Sequence, residues 1–250
     1  FYLEGTKIGY WVEVYKNGNL LSEGGFLNDL KEGKWKEYHE SGNLAAEGYF
    51  DFGEKNANWV SYFDNGYIQM KGQFINDMED GNWLEYYENG YLKSEGNYYN
   101  GNEQGIWNEY HDNGQLAATG KYTNGLENGV WKNYFINGQL SQEETYKNGL
   151  LWEEGIPYDS TGKALGKPAL VDGRGVRTTY HPNGQLKSIG RIHDGYLTGL
   201  WKYYHNNGGY AGIGYFKAGL KTGKWDYYYP DGKLEAFGNY SEDEMVGEWV

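Results

Sequence analysis

The chain has 250 residues, a net charge of −13 and no cysteine, with 40 glycines, 27 tyrosines and 10 tryptophans. The absence of cysteine excludes disulfides and thiolate metal sites. No apolar run approaches the roughly 18 residues of a membrane-crossing helix, and no charged-then-apolar start reads as a secretory leader. The charge is uneven. Residues 1–127 hold 21 carboxylates against 9 Lys and Arg, whereas residues 128–250 hold 14 against 13. An acidic half repels nucleic-acid phosphates and anionic headgroups. No nucleic-acid partner and no membrane insertion are therefore expected, and a basic protein partner is favoured. Acids also keep a long array soluble and monomeric.

From the first residues onward a phrase of 24 residues repeats. With Trp as position 0, it recurs at Trp11, Trp35, Trp59, Trp83, Trp107 and Trp131. Position −2 is Gly in this array except at Ala57; position +3 is Tyr after the first copy; positions +6 and +7 are mostly Asn-Gly, as in Asn17-Gly18. Position +9 is mostly Leu, +13 mostly Gly and +15 aromatic, as in Leu44, Gly48 and Phe50. A second Asn, Asp or Gly turn follows near +17 and +18. Both FYLEGTKIGYW at the start and GEWV at the end fall inside a repeat, so the sequence reads as a window on a longer array.

Two strand-like runs and two turn signals per 24 residues predict one β-hairpin per repeat. Pro182 and Pro230 stand at +5, where a two-residue turn would need a backbone N–H that proline lacks. Proline there suits a type I turn followed by a left-handed glycine, so three-residue loops with a glycine bulge are expected. That register places Tyr +3 opposite Leu +9, with +11, +13 and +15 on the same face. The other face then carries Trp, the aromatic or His at +4, and the often acidic +2, +10 and +12, among them Glu13, Glu23, Glu37, Glu47, Glu85, Glu95 and Glu109. Two-residue turns would instead regroup the faces and put Trp with Leu. A lone hairpin is unstable in water, whereas hairpins stacked edge to edge bury one another's rings. The expected fold is all-β: an elongated solenoid of about ten stacked antiparallel hairpins forming a continuous twisted sheet. At about 4.8 Å per strand it would run about 100 Å.

Three segments follow from the columns. An acidic hairpin array spans 1–147. A degenerate junction spans 148–176, where the interval from Trp131 to Arg177, which stands in the Trp slot, is two residues short of two repeats. A near-neutral array spans 177–250, with Trp201, Trp225 and Trp249. The junction is expected to keep turns at "DSTG" and "VDGRG" and to continue the stacking with a change of direction.

The run Gly105-Ile106-Trp107, with Tyr110, Asn113-Gly114, Leu116, Gly120, Tyr122 and Asn124-Gly125, resembles the bacterial variant of the MORN repeat. The match covers nearly the whole chain, and its repetition makes it specific. The resemblance implies a protein like the YwqK-type antitoxin components placed beside secreted toxins, a binding or immunity protein without catalysis. Eukaryotic relatives are linked to lipids or scaffolding; the acidity here weighs against lipid.

A search for chemistry finds no catalytic constellation. His39, His111, His181 and His205 share the +4 column with Tyr and Phe, which reads as a packing slot, and one repeat of spacing is too long for a shared metal. The acidic turns NDMEDG, DFGE and SEDE lack the twelve-residue calcium-loop pattern. Neither a metal nor a cofactor is expected. What remains is a surface of rings and carboxylates, residue types that anchor interfaces and steer basic partners. The partner-binding candidates are Trp11, Glu13, Tyr15, Trp35, Glu37, His39, Trp59, Phe63, Trp83, Glu85, Tyr87, Trp107, Glu109 and His111. The leading expectation is a monomeric, non-enzymatic protein that binds a basic toxin or other protein. The alternatives are an envelope or surface glycan-binding module, whose Trp and Tyr rows stack on sugars, and a scaffold. A cytoplasmic setting goes with the antitoxin reading, and a secreted or envelope setting with the glycan reading.

Overall fold

A computed structural model describes residues 2–250. Among them there are only strands, turns and loops, with no helix. The chain divides into two compact units, one made of residues up to Leu116 with Lys121–Leu126, the other of Ala117–Gly120 with Glu127–Val250. The division falls within the Leu116–Thr123 strand.

In the first unit, strands from Gly9–Val14 to Asn102–Tyr110 pair antiparallel in sequence order as an open sheet. Each 24-residue phrase supplies one hairpin, as expected. The +4 N–H donates to the +8 carbonyl and the +7 N–H to the +4 carbonyl: Tyr15 to Asn19 at 2.8 Å, and Gly18 to Tyr15 at 3.0 Å. This is the three-residue loop inferred from Pro182 and Pro230, with Gly18 left-handed at φ 89°. The second turn is a tight two-residue one with both central residues at positive φ, as at Asn28 (51°) and Asp29 (65°).

The assignment of faces needs correction. Tyr38 does pair with Leu44, but the register slips by one residue immediately afterwards, so that Glu37 pairs with Ala46 and Trp35 with Gly48. A bulge at +10 thus turns +11, +13 and +15 to the side opposite Leu +9. Trp therefore shares its face with +2, +4, +11, +13 and +15, while +3, +9, +12 and +14 lie on the reverse. Glu23, Glu47 and Glu95, grouped with Trp in the sequence reading, belong to that reverse side: Tyr38 Oη donates to Glu23 at 2.6 Å and Tyr110 Oη to Glu95 at 2.7 Å.

A second bulge explains two glycine columns. Going from one hairpin to the next, Gly25 pairs with Glu32 and Glu23 with Lys36, so Gly33, Lys34 and Trp35 bulge out opposite Gly24. Gly33 takes φ 73°, and a Cβ there would meet nothing within 4 Å; this column needs the backbone angle alone. At Gly24, Gly48, Gly72 and Gly96 the need is space. A Cβ would fall 2.1–2.3 Å from the tryptophan of the next repeat, which lies flat on the glycine.

The core is therefore a single row. Each Trp alternates with a +15 ring, from Phe26 and Trp35 to Tyr98 and Trp107, with neighbouring centroids 5.0–6.3 Å apart and planes close to perpendicular. Edge-to-face pairs of this kind are worth about 0.5–1.5 kcal/mol each beyond their burial.

In the second unit the ladder is interrupted, which corrects the expectation of a continuous sheet. Gly129–Tyr134, Leu140–Lys147 and Leu150–Glu154 form one ladder, and eight strands from Leu170–Val171 to Glu244–Val246 form another. Between them, residues 155–169 hold only an isolated bridge from Tyr158 to Ala164. Gly155 occupies the Trp slot there, yet the turn survives: Asp159 N–H bonds Lys163 O at 3.0 Å and Gly162 N–H bonds Asp159 O at 2.9 Å. The Asp172-Gly173 turn also survives, and Gly173 N–H bonds Trp152 O at 2.8 Å. Turn chemistry is local and persists; the strands fail where Pro157 and Pro168 remove donors. The core of this unit joins Leu151 and Leu170 to Ile192, Trp201, Phe216, Trp225 and Tyr240.

Candidate binding face

Of the residues expected at the binding face, the tryptophans are mostly enclosed. Trp35, Trp59, Trp83 and Trp107 are 1–8% exposed, and Trp11 is half-buried. Each enclosed indole also donates backward, Trp35 Nε1 to Gly25 O at 3.0 Å and Trp59 Nε1 to Tyr49 O at 3.0 Å. Their rings and their donors are engaged within the sheet.

The +4 column is a clasp between repeats. Tyr15 Oη donates to Tyr38 O at 2.7 Å, and Tyr87 Oη to Tyr110 O at 2.8 Å. His39 Nε2 meets Tyr62 O at 2.9 Å. A carbonyl only accepts, so His39 carries its proton on Nε2. Phe63 fills the same slot without a donor. His111 occupies the corresponding place in its repeat. The turn asparagines add a second clasp: Asn17 accepts from Asn19 N–H at 2.9 Å while donating to Glu40 O of the next repeat at 3.0 Å.

What stays accessible on the Trp face is the +2 carboxylate row. Glu13 and Glu109 are exposed, and the Glu37 and Glu85 side chains are 41% and 39% exposed. Ser22 Oγ donates to Glu13 at 3.1 Å and Ser94 Oγ to Glu85 at 3.3 Å, which aims these acids along the face.

The sequence reading missed the −4 column, which adjoins this row. Lys7, Lys31 and Lys55 hold it in the first repeats. Lys31 Nζ lies 4.3 Å from the Trp35 ring centre, 4.7 Å from that of Phe50 and 3.6 Å from Glu37. Further along, the column turns to Glu79 and Glu103 and the +15 ring changes from Phe to Tyr, at Tyr98 and Tyr122. Burial, reinforced by the charges of Glu103 and Glu79, pushes the Tyr98 hydroxyl up to about 12. The signal was present in the sequence as a paired change of −4 and +15 between repeats.

The acidic turns do defined work. Asp29 and Asp77 accept the backbone N–H of Lys7 and Lys55 at 2.6 Å, closing one repeat's turn on the previous repeat.

In the second unit, Arg177 in the Trp slot meets two buried acids. Its Nε donates to Glu154 at 2.9 Å and its Nη2 to Glu144. Asn133 and Tyr146 also donate to Glu144, at 3.1 and 3.0 Å. Glu144 stands at +13, where the other repeats keep glycine under an indole. Because Gly155 supplies no indole, that space is open to a side chain. Burial, with the Glu144 charge adding to it and Arg177 opposing, raises Glu154 to about 7.

A protein-family model for the MORN repeat variant matches residues 31–51, 79–100, 103–124, 127–148, 174–192, 197–218 and 221–241, together more than half of the chain. The chain belongs to the MORN repeat variant family. The MORN repeats centred on Trp11, Trp59 and Gly155 lie outside the matched segments; the last two carry Ala57 in place of the bulge glycine and Gly155 in place of Trp. No curated protein matches the sequence. Among solved structures, the chain is similar to the TcdB2-TccC3-TEV crystal structure (13% identity, TM-score 0.22, 91% of this chain and 13% of that one). It is also similar to the Photorhabdus luminescens Tc holotoxin pore with the TccC3-D651A mutation (12%, 0.21, 93% and 13%). The chain thus spans about an eighth of the length of these proteins.

Proposed function

We propose that this MORN repeat protein is a non-catalytic binding module that engages a basic protein partner through the carboxylate row of its first unit. The observation that carries the reading is the division of labour on the Trp face. The aromatic rings hold the repeats together, while Glu13, Glu37, Glu85 and Glu109 hold the +2 position beside them in four of the first five repeats, with Ser61 in the other, and are aimed by serines in two of the four. Carboxylates spaced on a stiff ladder steer a cationic partner and fix its register. An antitoxin or immunity role, with a toxin as partner, is the specific form of this reading that the sequence resemblance suggests. A glycan-binding role draws no support from Trp35, Trp59, Trp83 and Trp107, which at 1–8% exposure offer too little ring for a sugar to stack on. The test is capture of the product of the neighbouring gene by the full chain at low and high salt. Capture weakened by salt and by Glu13, Glu37, Glu85 and Glu109→Lys changes supports the reading, and capture indifferent to all four counts against it.

A further inference from the structure

The first three repeats contain their own ligand. Lys7, Lys31 and Lys55 each place an ammonium over the ring of Trp 0 and the +15 ring: 4.8 and 4.8 Å for Lys7, 4.3 and 4.7 Å for Lys31, 4.7 and 5.2 Å for Lys55. In two of them the +2 carboxylate completes the seat, Glu13 at 3.9 Å and Glu37 at 3.6 Å. Lys221 repeats the arrangement in the second unit, 4.8 Å from Trp225 and 4.9 Å from Tyr240. Two aromatic faces and a carboxylate are the elements of a cation seat.

The repeat of Trp83 has the same seat without the lysine. Its rings, Trp83 and Tyr98, keep the same spacing, 5.9 Å and 80°, and Glu85 stands at +2. At −4, however, is Glu79. A recess opens there on the Trp face, lined by Met70, Glu79, Trp83, Glu85, Ser94 and Tyr98. Glu103 repeats the exchange at −4 of the next hairpin, whose +2 residue is Glu109. Lys93 reaches Glu85 at 2.8 Å from the hairpin arm, and these two repeats carry four carboxylates at −4 and +2, Glu79, Glu85, Glu103 and Glu109, where the first two repeats alternate lysine with glutamate. The Lys7 and Lys31 repeats, by contrast, pair one lysine with one glutamate.

We infer that the recess between Glu79 and Glu85 receives a lysine side chain from the protein partner, in the position that Lys31 occupies internally. This rests on the protein-binding reading above and names the contact through which it acts. An inserted ammonium exchanges water for two rings and two carboxylates, while Met70 accommodates the aliphatic stem.

The probe is hexalysine, titrated against the full chain by calorimetry, with the same peptide acetylated on its side-chain amines as control. Glu79→Lys restores the internal lysine and is expected to fill the seat, weakening hexalysine binding by about tenfold or more, the loss of one well-placed charge contact. Its urea midpoint should stay at or above that of the parent. Glu79→Gln, which adds no competing cation, should weaken binding by a smaller factor. Glu40→Lys makes the same charge change at an exposed hairpin tip and should leave binding nearly unaltered. Equal weakening by Glu40→Lys and Glu79→Lys, or equal binding of the acetylated peptide, overturns the inference. Capture of a natural partner that is sensitive to Glu13 and Glu37 but indifferent to Glu79→Lys would remove the recess and leave the broader reading standing.

Discussion

The indole of Trp59 rests on the α-carbon of Gly48, so close that an added methyl carbon would sit 2.1 Å from the ring. The contact recurs along the array, with each tryptophan reading the glycine of the hairpin before it. Gly48→Ala should therefore lift an indole off the sheet and cost about 1–3 kcal/mol by overpacking. Gly33→Ala, which meets no atom but keeps φ 73°, should cost about 1 kcal/mol through backbone strain alone. Urea midpoints and tryptophan emission separate the two. Only Gly48→Ala should shift the emission to the red, and a red shift of equal size for both would contradict the assignment of the two columns.

Ala57 is a natural copy of the second case. It holds φ 58° at the bulge where the other repeats of this unit have glycine. Ala57→Gly should relieve the left-handed strain and stabilise the protein by about 0.5–1 kcal/mol, after the added freedom of the unfolded chain is counted. Chemical denaturation of the two proteins decides it; a destabilised variant would mean the bulge is not strained.

The +4 clasp yields a reciprocal pair. Tyr87→Phe removes the hydroxyl that meets Tyr110 O at 2.8 Å, and it should cost about 1 kcal/mol. Phe63→Tyr supplies the missing hydroxyl in an equivalent slot and should stabilise by up to about that amount. Amide exchange of the hairpin tips, measured in both variants, should slow for Phe63→Tyr and quicken for Tyr87→Phe. No change in either would reduce the column to packing.

Glu154 makes stability depend on pH. Its side chain is 3% exposed, and burial raises its pKa from 4.5 to about 7. A carboxyl whose pKa rises on folding binds its proton more tightly in the native state. Its contribution is fully present below about pH 4.5, declines as pH climbs, and is gone above about 7, a span worth up to about 3 kcal/mol. Burial of the carboxyl is the physical origin of the effect; the Arg177 guanidinium opposes it, and the Glu144 charge, which shares that guanidinium, adds to it. Glu154→Gln keeps the shape and removes the titration. The stability difference between Glu154→Gln and the parent should therefore widen in the variant's favour between about pH 5 and about pH 8. Parallel pH profiles would show that Glu154 is ionised throughout.

Much of this fold was legible in the sequence because its information is local. Turn residues act within four positions: Pro182 and Pro230 exclude the two-residue loop, and Asn17-Gly18 supplies the left-handed closure. The period of 24 residues then places one hairpin per phrase, and the persistence of the Asp159–Gly162 turn inside the degenerate repeat shows how little those turns depend on the strands around them. The acidic row was legible too, since Glu13, Glu37, Glu85 and Glu109 keep one register position.

Only the tertiary structure decided which side of the sheet each residue occupies. A strand's side chains alternate with period two, so each one-residue bulge exchanges the faces of everything beyond it. The bulge at +10 arises between the two arms of a hairpin and the bulge around Gly −2 between one hairpin and the next, and the sequence pattern does not state which way either turns the chain. They moved Trp35 under its neighbours and sent Glu23 and Glu47 to the reverse side. They also set Lys31 over two rings, and in the second unit Arg177 meets the paired acids Glu144 and Glu154. Lys31 meets Phe50 across the hairpin, and Arg177 meets Glu154 and Glu144 across 23 and 33 positions, separations over which the repeat fixes the order of the strands while the packing of large rings on glycine fixes their depth.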